Sequence, residues 1–167
     1  MRTMKAALAA AACAALLSSC AGTSSAPRPL APGEWEANTR DVIGVLERDL
    51  ALSTSTDDTN AAAGHALRDT WTLYTMVVAY TDFGGCDHMM SAVGVPPRRF
   101  QPAQRTMRAA CTLLEQAATV FTRAAAESDA VLLRRATHLV LHAAPLLIRA
   151  AAELHPARAP ARSLAAG

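Results

Sequence analysis

Aromatic side chains are scarce in this sequence: three Phe, two Trp and two Tyr among 167 residues. Valine and isoleucine are also few, whereas alanine occurs 39 times. Strands favour β-branched and aromatic residues, so this balance argues against an all-β fold and for helix. Lysine is nearly absent: Lys5 is the sole one, and every later cation is arginine. That pattern reflects a bias toward Ala and Arg and does not in itself mark a binding surface. Compact active-site signatures are missing too. There is no glycine-rich phosphate loop, no GxSxG elbow, no repeated CxxC and no HExxH. The adjacent acids Asp57-Asp58 suit a capping position, and Glu34 and Glu36 flank a linker; neither pair reads as a buried acid–base couple. The expectation is a non-catalytic protein. A charged fraction of 18% and a hydrophobic fraction of 51% exclude a disordered or collagen-like chain, and the length fits one domain.

Residues 1–19 read as an export signal. Arg2 and Lys5 precede a twelve-residue apolar run, Ala6 to Leu17, shorter than the roughly 20 residues that a membrane-spanning helix needs. Leu17-Ser18-Ser19-Cys20 follows directly. A leucine three residues before a cysteine, with small residues between, resembles the lipobox of bacterial lipoproteins. That resemblance implies cleavage before Cys20 and acylation of its thiol. At about 0.8 kcal/mol per buried CH₂, two or three acyl chains then hold the protein on a bilayer where one would not. The expected location is the extracytoplasmic face of a membrane, with the bilayer as one partner.

Removing residues 1–19 takes Arg2 and Lys5 from the 16 cations and leaves 14 against 14 acids. The neutral remainder gives no warrant for a nucleic-acid partner, which clustered positive charge would supply. The charge is nevertheless uneven: residues 20–97 carry 4 Arg and 10 acids, and residues 98–167 carry 10 Arg and 4 acids. Two explanations stand, electrostatic pairing of the two halves or a dipolar surface that docks a charged partner.

Residues 20–33 are small and Pro-rich, as in a flexible tether. Helical periodicity then begins, and residues 34–155 are expected to form the folded domain. Trp35, Thr39, Val42, Ile43, Leu46 and Leu50 predict a first helix over about 34–51. Asp57, Asp58 or Asn60 is expected to cap a second, with Ala63, Leu67, Trp71, Tyr74, Val78 and Thr81 on one inward face and Gly84-Gly85 as its stop. A third starts near Pro102 with the stripe Met107, Ala110/Cys111, Leu114, Ala118, Phe121 and Ala125. Ser128 is expected to cap a fourth, with Leu132, Leu133, Ala136, Leu139, Val140, Ala143, Leu147 and Ala151 facing inward and Pro145 kinking it. Four such segments bury their stripes best in an all-α, antiparallel four-helix bundle. Residues 156–167 have no apolar period and are expected to be a disordered tail.

With Cys13 in the signal and Cys20 acylated, Cys86 and Cys111 remain, and an exported chain is expected to join them in one disulfide. Beside Cys86 stand His88, Met89 and Met90, soft ligands that suit Cu(I). His138 and His142 share a helix face at i and i+4, as in divalent-metal sites. These five residues define the alternative function, a metal- or haem-handling bundle. Against it, an oxidised Cys86 offers no thiolate, 87–93 reads as a short helix ended by Gly94 and Pro96-Pro97, and Arg135 and Arg149 beside the histidines repel cations. No cofactor is therefore expected.

The arrangement Cys86…Gly94-Val95-Pro96-Pro97…Cys111, followed by Leu114, Ala118 and Phe121, is similar to uncharacterised helical lipoproteins of high-GC bacteria. It implies no activity. The leading expectation is a lipid-anchored bundle with a binding or envelope role, its partner an envelope protein or a small ligand. Mass spectrometry of the exported chain should find Cys20 as the first residue and carrying acyl mass; an unmodified N-terminus downstream of residue 20 would remove the anchor.

Overall fold

A computed structural model describes residues 30–54 and 60–155. The expected signal, Cys20, all but the end of the tether, the caps Asp57 and Asp58, and the tail 156–167 lie outside the described residues. Those residues form six α-helices and a 3₁₀ turn: α1 (Pro32–Ser53), α2 (Asn60–Ala66), α3 (Thr70–Gly84), α4 (Cys86–Val93), the turn Arg98–Phe100, α5 (Gln101–Glu127) and α6 (Ala130–Leu154). The fold is all-α, as the composition requires.

The longest helices, α5 and α6, make by far the most extensive contact in the molecule. Their sequences show why. Ala103, Ala110, Ala117 and Ala124 recur every seven residues on α5, and Ala136, Ala143 and Ala150 do so on α6; all seven are fully buried. Between them lie Met107, Leu114 and Phe121 on α5, and Leu133, Val140, Leu147 and Leu154 on α6. Small and large residues at alternating heptad positions let two helices approach closely while the large side chains interlock. Thr106 of α5 donates to Glu153 of α6 at 2.7 Å, which sets the pair antiparallel.

The link between them is two residues. Ser128 takes the left-handed conformation (φ 51°) that closes α5, and the Asp129 carboxylate accepts from the Val131 and Leu132 amides, at 2.7 and 3.1 Å, to open α6. The cap of α6 is thus Asp129, not Ser128. Ser128 is taken up in the left-handed turn that ends α5, so the capping position falls on Asp129, whose carboxylate also opposes the positive end of the helix dipole. Pro145 sits on the exposed face of α6, and the helix runs through it without a break.

The expected second helix is interrupted. Leu67 and Arg68 form a turn, and Asp69 starts α3 anew by accepting from the Thr72 amide at 2.7 Å. Hydrogen bonds from the Thr72 hydroxyl and amide hold the Asp69 carboxyl below the usual range. The break resets the helical phase. The buried side of α3 is Met76, Ala79, Tyr80 and Phe83, while Trp71, Tyr74, Val78 and Thr81 are exposed, which corrects the inward face read from the sequence. The reason lies in α3 itself, which is apolar on every side, so its periodicity does not select a face.

Beyond Gly84-Gly85 the chain resumes as α4, and its last stretch enters the 3₁₀ turn. The segment 84–101 is therefore mostly helical, and α4 matches the short helix over 87–93 expected to end at Gly94. Two contacts fix it. Trp35, fully buried at the start of α1, donates its indole N–H to the Gly94 carbonyl at 3.2 Å and stacks on Phe100 with ring centroids 5.3 Å apart. Gly94 has φ +84°, a conformation that a residue with a Cβ rarely takes. The second contact is covalent: Cys86 is disulfide-bonded to Cys111 of α5, both fully buried.

Ion pairing only partly follows the opposed charge of the two halves. Arg99 and His155 reach across to Glu36, at 3.9 and 3.7 Å. Arg40–Glu36, Arg48–Asp49, Arg123–Glu127 and Arg149–Glu153 all stay within one half. Apart from Arg48–Asp49, whose carboxylate is buried, these are surface pairs that contribute about 0–1 kcal/mol each.

The bridge closes a segment of separation 25, for which chain entropy gives about 3.5 kcal/mol. Reduction, or Cys86→Ser with Cys111→Ser, should lower unfolding stability in denaturant by about that amount; an unchanged midpoint would show that the bridge adds nothing.

Candidate functional site

The sequence-derived ligand residues do not converge. On α4, His88 is exposed, Met89 is half-buried against the core and Met90 is buried, so neighbouring positions point to different environments. Cys86 is committed to the disulfide. His138 and His142 lie on the exposed side of α6. Among the described residues, no three His, Cys, Asp or Glu side chains gather as a metal site would require.

Among the described residues, two buried side chains with an unpartnered polar atom escaped the sequence reading. The first is Asp49, on the inner face of α1 and fully buried. Its Oδ1 accepts from Arg48 Nε and Nη2 at 2.9 and 2.8 Å, while its Oδ2 has no partner. Burial pushes the Asp49 carboxyl up, the neighbouring Asp82 carboxyl of α3 adds to this, and the Arg48 guanidinium opposes it. Arg48 also lies 3.6 Å from Asp82, so the cluster ties α1 to α3. The second is Tyr80, whose hydroxyl has no hydrogen bond of ordinary geometry. Burial pushes its pKa up to about 12, with the Thr137 hydroxyl of α6 acting the other way.

The surface feature with binding character lies between α3 and α5. A groove of about 520 Å³, open to solvent, is floored by Tyr80 and Phe121, whose rings stack at 4.2 Å with planes 5° apart. Val77 and Thr81 form one wall, Thr119 and Thr122 the other, and Glu115 stands at one end. The small side chains of Ala118 and Ala125, with Gly84, leave the space vacant. Continuing from Val77 along α3 are Trp71 and Tyr74, 75% and 61% exposed, with ring centroids 6.1 Å apart, and Val78. Single exposed apolar residues are ordinary, but a Trp, a Tyr and two Val on one short helix form a patch of the kind that marks interaction sites. The signal was present in the sequence as the all-round apolarity of α3.

Comparison with known proteins adds no relative: no family model, no curated protein and no solved structure matches the chain.

Asp49 generates a test. The folded chain retains a proton there that the unfolded chain releases near 3.8, so the raised pKa makes stability fall as pH rises from that value upward. Asp49→Asn mimics the protonated acid. Its denaturation midpoint should exceed that of the native chain at pH 7, with the advantage shrinking toward pH 4; a deficit of equal size at both pH values would contradict this.

Proposed function

We propose that the chain is a bacterial lipoprotein, exported, acylated on Cys20 and held at the extracytoplasmic face of a membrane. There it presents a non-catalytic binding module. In this reading the module is an antiparallel four-helix bundle whose positions are α1, α5, α6 and the tandem of α3 and α4, with α2 closing the far end against α6. The lipobox at Leu17–Cys20 supports the anchor. The disulfide supports export, because such bonds persist in oxidising compartments.

One observation carries the binding role: the exposed Trp71–Tyr74 pair running into the α3/α5 groove. Trp and Tyr dominate the energetics of protein interfaces, and a rigid helix presents them here at little entropic cost. The partner is an envelope protein or a small apolar ligand. The buried ionisable groups fit this role better than a reaction: Asp49 is tied to the neighbouring Arg48, and the phenol of Tyr80 is enclosed in the core.

The test uses N-phenylnaphthylamine as an apolar probe on the mature chain. Probe fluorescence should rise on binding, and Trp71→Ala with Tyr74→Ala should weaken binding several-fold while leaving the circular dichroism unchanged, since exposed substitutions cost about 0.5 kcal/mol or less. Ala118→Phe, which fills the groove, should do the same. Equal probe binding by all three proteins, or none by the native chain, would overturn the assignment.

A further inference from the structure

The end of the molecule where α1 begins carries a basic surface. Arg98 and Arg99 lie in the 3₁₀ turn, and Arg105 and Arg108 in the first two turns of α5; all four are exposed. The first turn of α5 contains no acid. Arg98 and Arg99, just before the first turn, are repelled by the positive end of the helix dipole, so helix formation does not account for their placement.

The acids at this end are already engaged. Glu34 accepts from the Ala31 amide at 2.9 Å. Glu36 pairs with Arg40 and lies near Arg99 and His155. Glu153 accepts from Thr106 and from Arg149, and these bonds, with Arg105 nearby, hold its carboxyl below the usual range. Counting Asp41 as well, six arginines (40, 98, 99, 105, 108 and 149) face four acids. Beside this surplus Val95 protrudes, 78% exposed, between Gly94 and Pro96. Its backbone is held in place by the Trp35–Gly94 hydrogen bond.

We propose that this end is a docking face for an anionic lipid bilayer, with the four arginines 98, 99, 105 and 108 on the headgroups and Val95 inserted between them. The inference rests on the lipoprotein reading, because the tether brings this end to the membrane. Twelve residues, 20–31, separate the acylated cysteine from α1 and reach about 40 Å at most when fully extended. A basic contact beside the attachment point gives the bundle one orientation on the bilayer. Each arginine near an anionic surface strengthens binding about fivefold, and the attraction fades within a Debye length. Docked this way, α5 points away from the bilayer and Trp71 stands roughly 40 Å out, where the α3 patch is free to meet a partner.

The experiment is sedimentation of the mature chain, residues 20–167 with Cys20→Ser, with vesicles of phosphatidylglycerol and phosphatidylcholine (30:70) or of phosphatidylcholine alone. The native surface should bind the anionic vesicles at least tenfold more tightly, and less so as salt rises. Arg105→Gln with Arg108→Gln should weaken binding about tenfold or more, and Val95→Asp several-fold. Arg123→Gln with Arg135→Gln, an equal charge loss at the opposite end, should leave it unchanged. Circular dichroism confirms that each variant is folded. Equal binding to both vesicle types, or an equal loss in the opposite-end variant, would overturn the docking face. Acyl mass on Cys20 is read separately: its absence would sink the anchor alone, and its presence beside a failed vesicle assay would sink the docking face alone.

Discussion

The alanine seam between α5 and α6 is the constraint on which the other helices depend. Seven fully buried alanines at heptad spacing bring two helices of 27 and 25 residues together over most of their length. This packing needs no aromatic bulk, which is how a chain with seven aromatics builds a continuous core. Two of the few large rings, Phe121 and Phe100, receive rings from other helices. Phe121 carries Tyr80 of α3, and Phe100 carries Trp35 of α1. Cys111, next to Ala110 of the seam, holds α4 covalently. α3 and α4 are thus attached to α5 by a ring stack and a disulfide, and α1 is held through Phe100 in the turn that leads into α5.

That economy explains the groove. Alanines that serve close packing on one side of α5 leave little volume on its other sides, and Ala118 and Ala125 lie just off the seam, facing α3. Where α3 meets them with Gly84 the helices lie close enough that an added Cβ would be in ordinary contact with the Ala118 methyl, at 3.5 Å. Where α3 meets them with Val77 and Tyr80, space remains. The groove is the consequence of small residues on one helix opposing a partner whose side chains change size along its length. Tyr80 pays for this position with a hydroxyl that lacks a hydrogen bond.

Legibility from sequence followed amphipathicity. The stripes of α5 and α6 alternate sharply, and most of their large positions were readable, as were the start at Pro102 and the Cys86–Cys111 bridge, but Ala118, Ala125 and Ala151 were read inward where the structure buries Ala117, Ala124 and Ala150. α3 was not readable in the same way. Its sequence TWTLYTMVVAYTDFG offers an apolar residue in every direction, and the largest ones were assigned inward, whereas the structure turns Trp71 and Tyr74 outward and buries Met76 and Ala79. The break at Asp69 that sets this phase is a single capping hydrogen bond, a local event that no periodicity over 60–84 reveals. Asp49 was hidden for a related reason. It lies one turn from Leu46 on the buried stripe of α1, yet a carboxylate there is read as exposed unless its partners Arg48 and Asp82 are known.

Charge shows the same dependence on three-dimensional placement. The opposed signs of the two halves invite a picture of complementary hairpins, but the acids of the first half are spread along α1, α3 and α4, while four arginines of the second half are concentrated at the entry to α5. A distributed charge is screened residue by residue, whereas a concentrated one adds its contributions at a single surface. Of the two explanations that the sequence allowed, pairing between halves is supported by the contacts of Arg99 and His155 to Glu36, and a directional surface accounts for Arg98, Arg105 and Arg108 beside them. On the lipoprotein reading, that surface and the aromatic patch lie at opposite ends of the α5/α6 seam, so the seam also sets the distance between anchor and partner. A change in the number of heptads would move the patch relative to the membrane by about 10 Å for each seven residues without altering either surface.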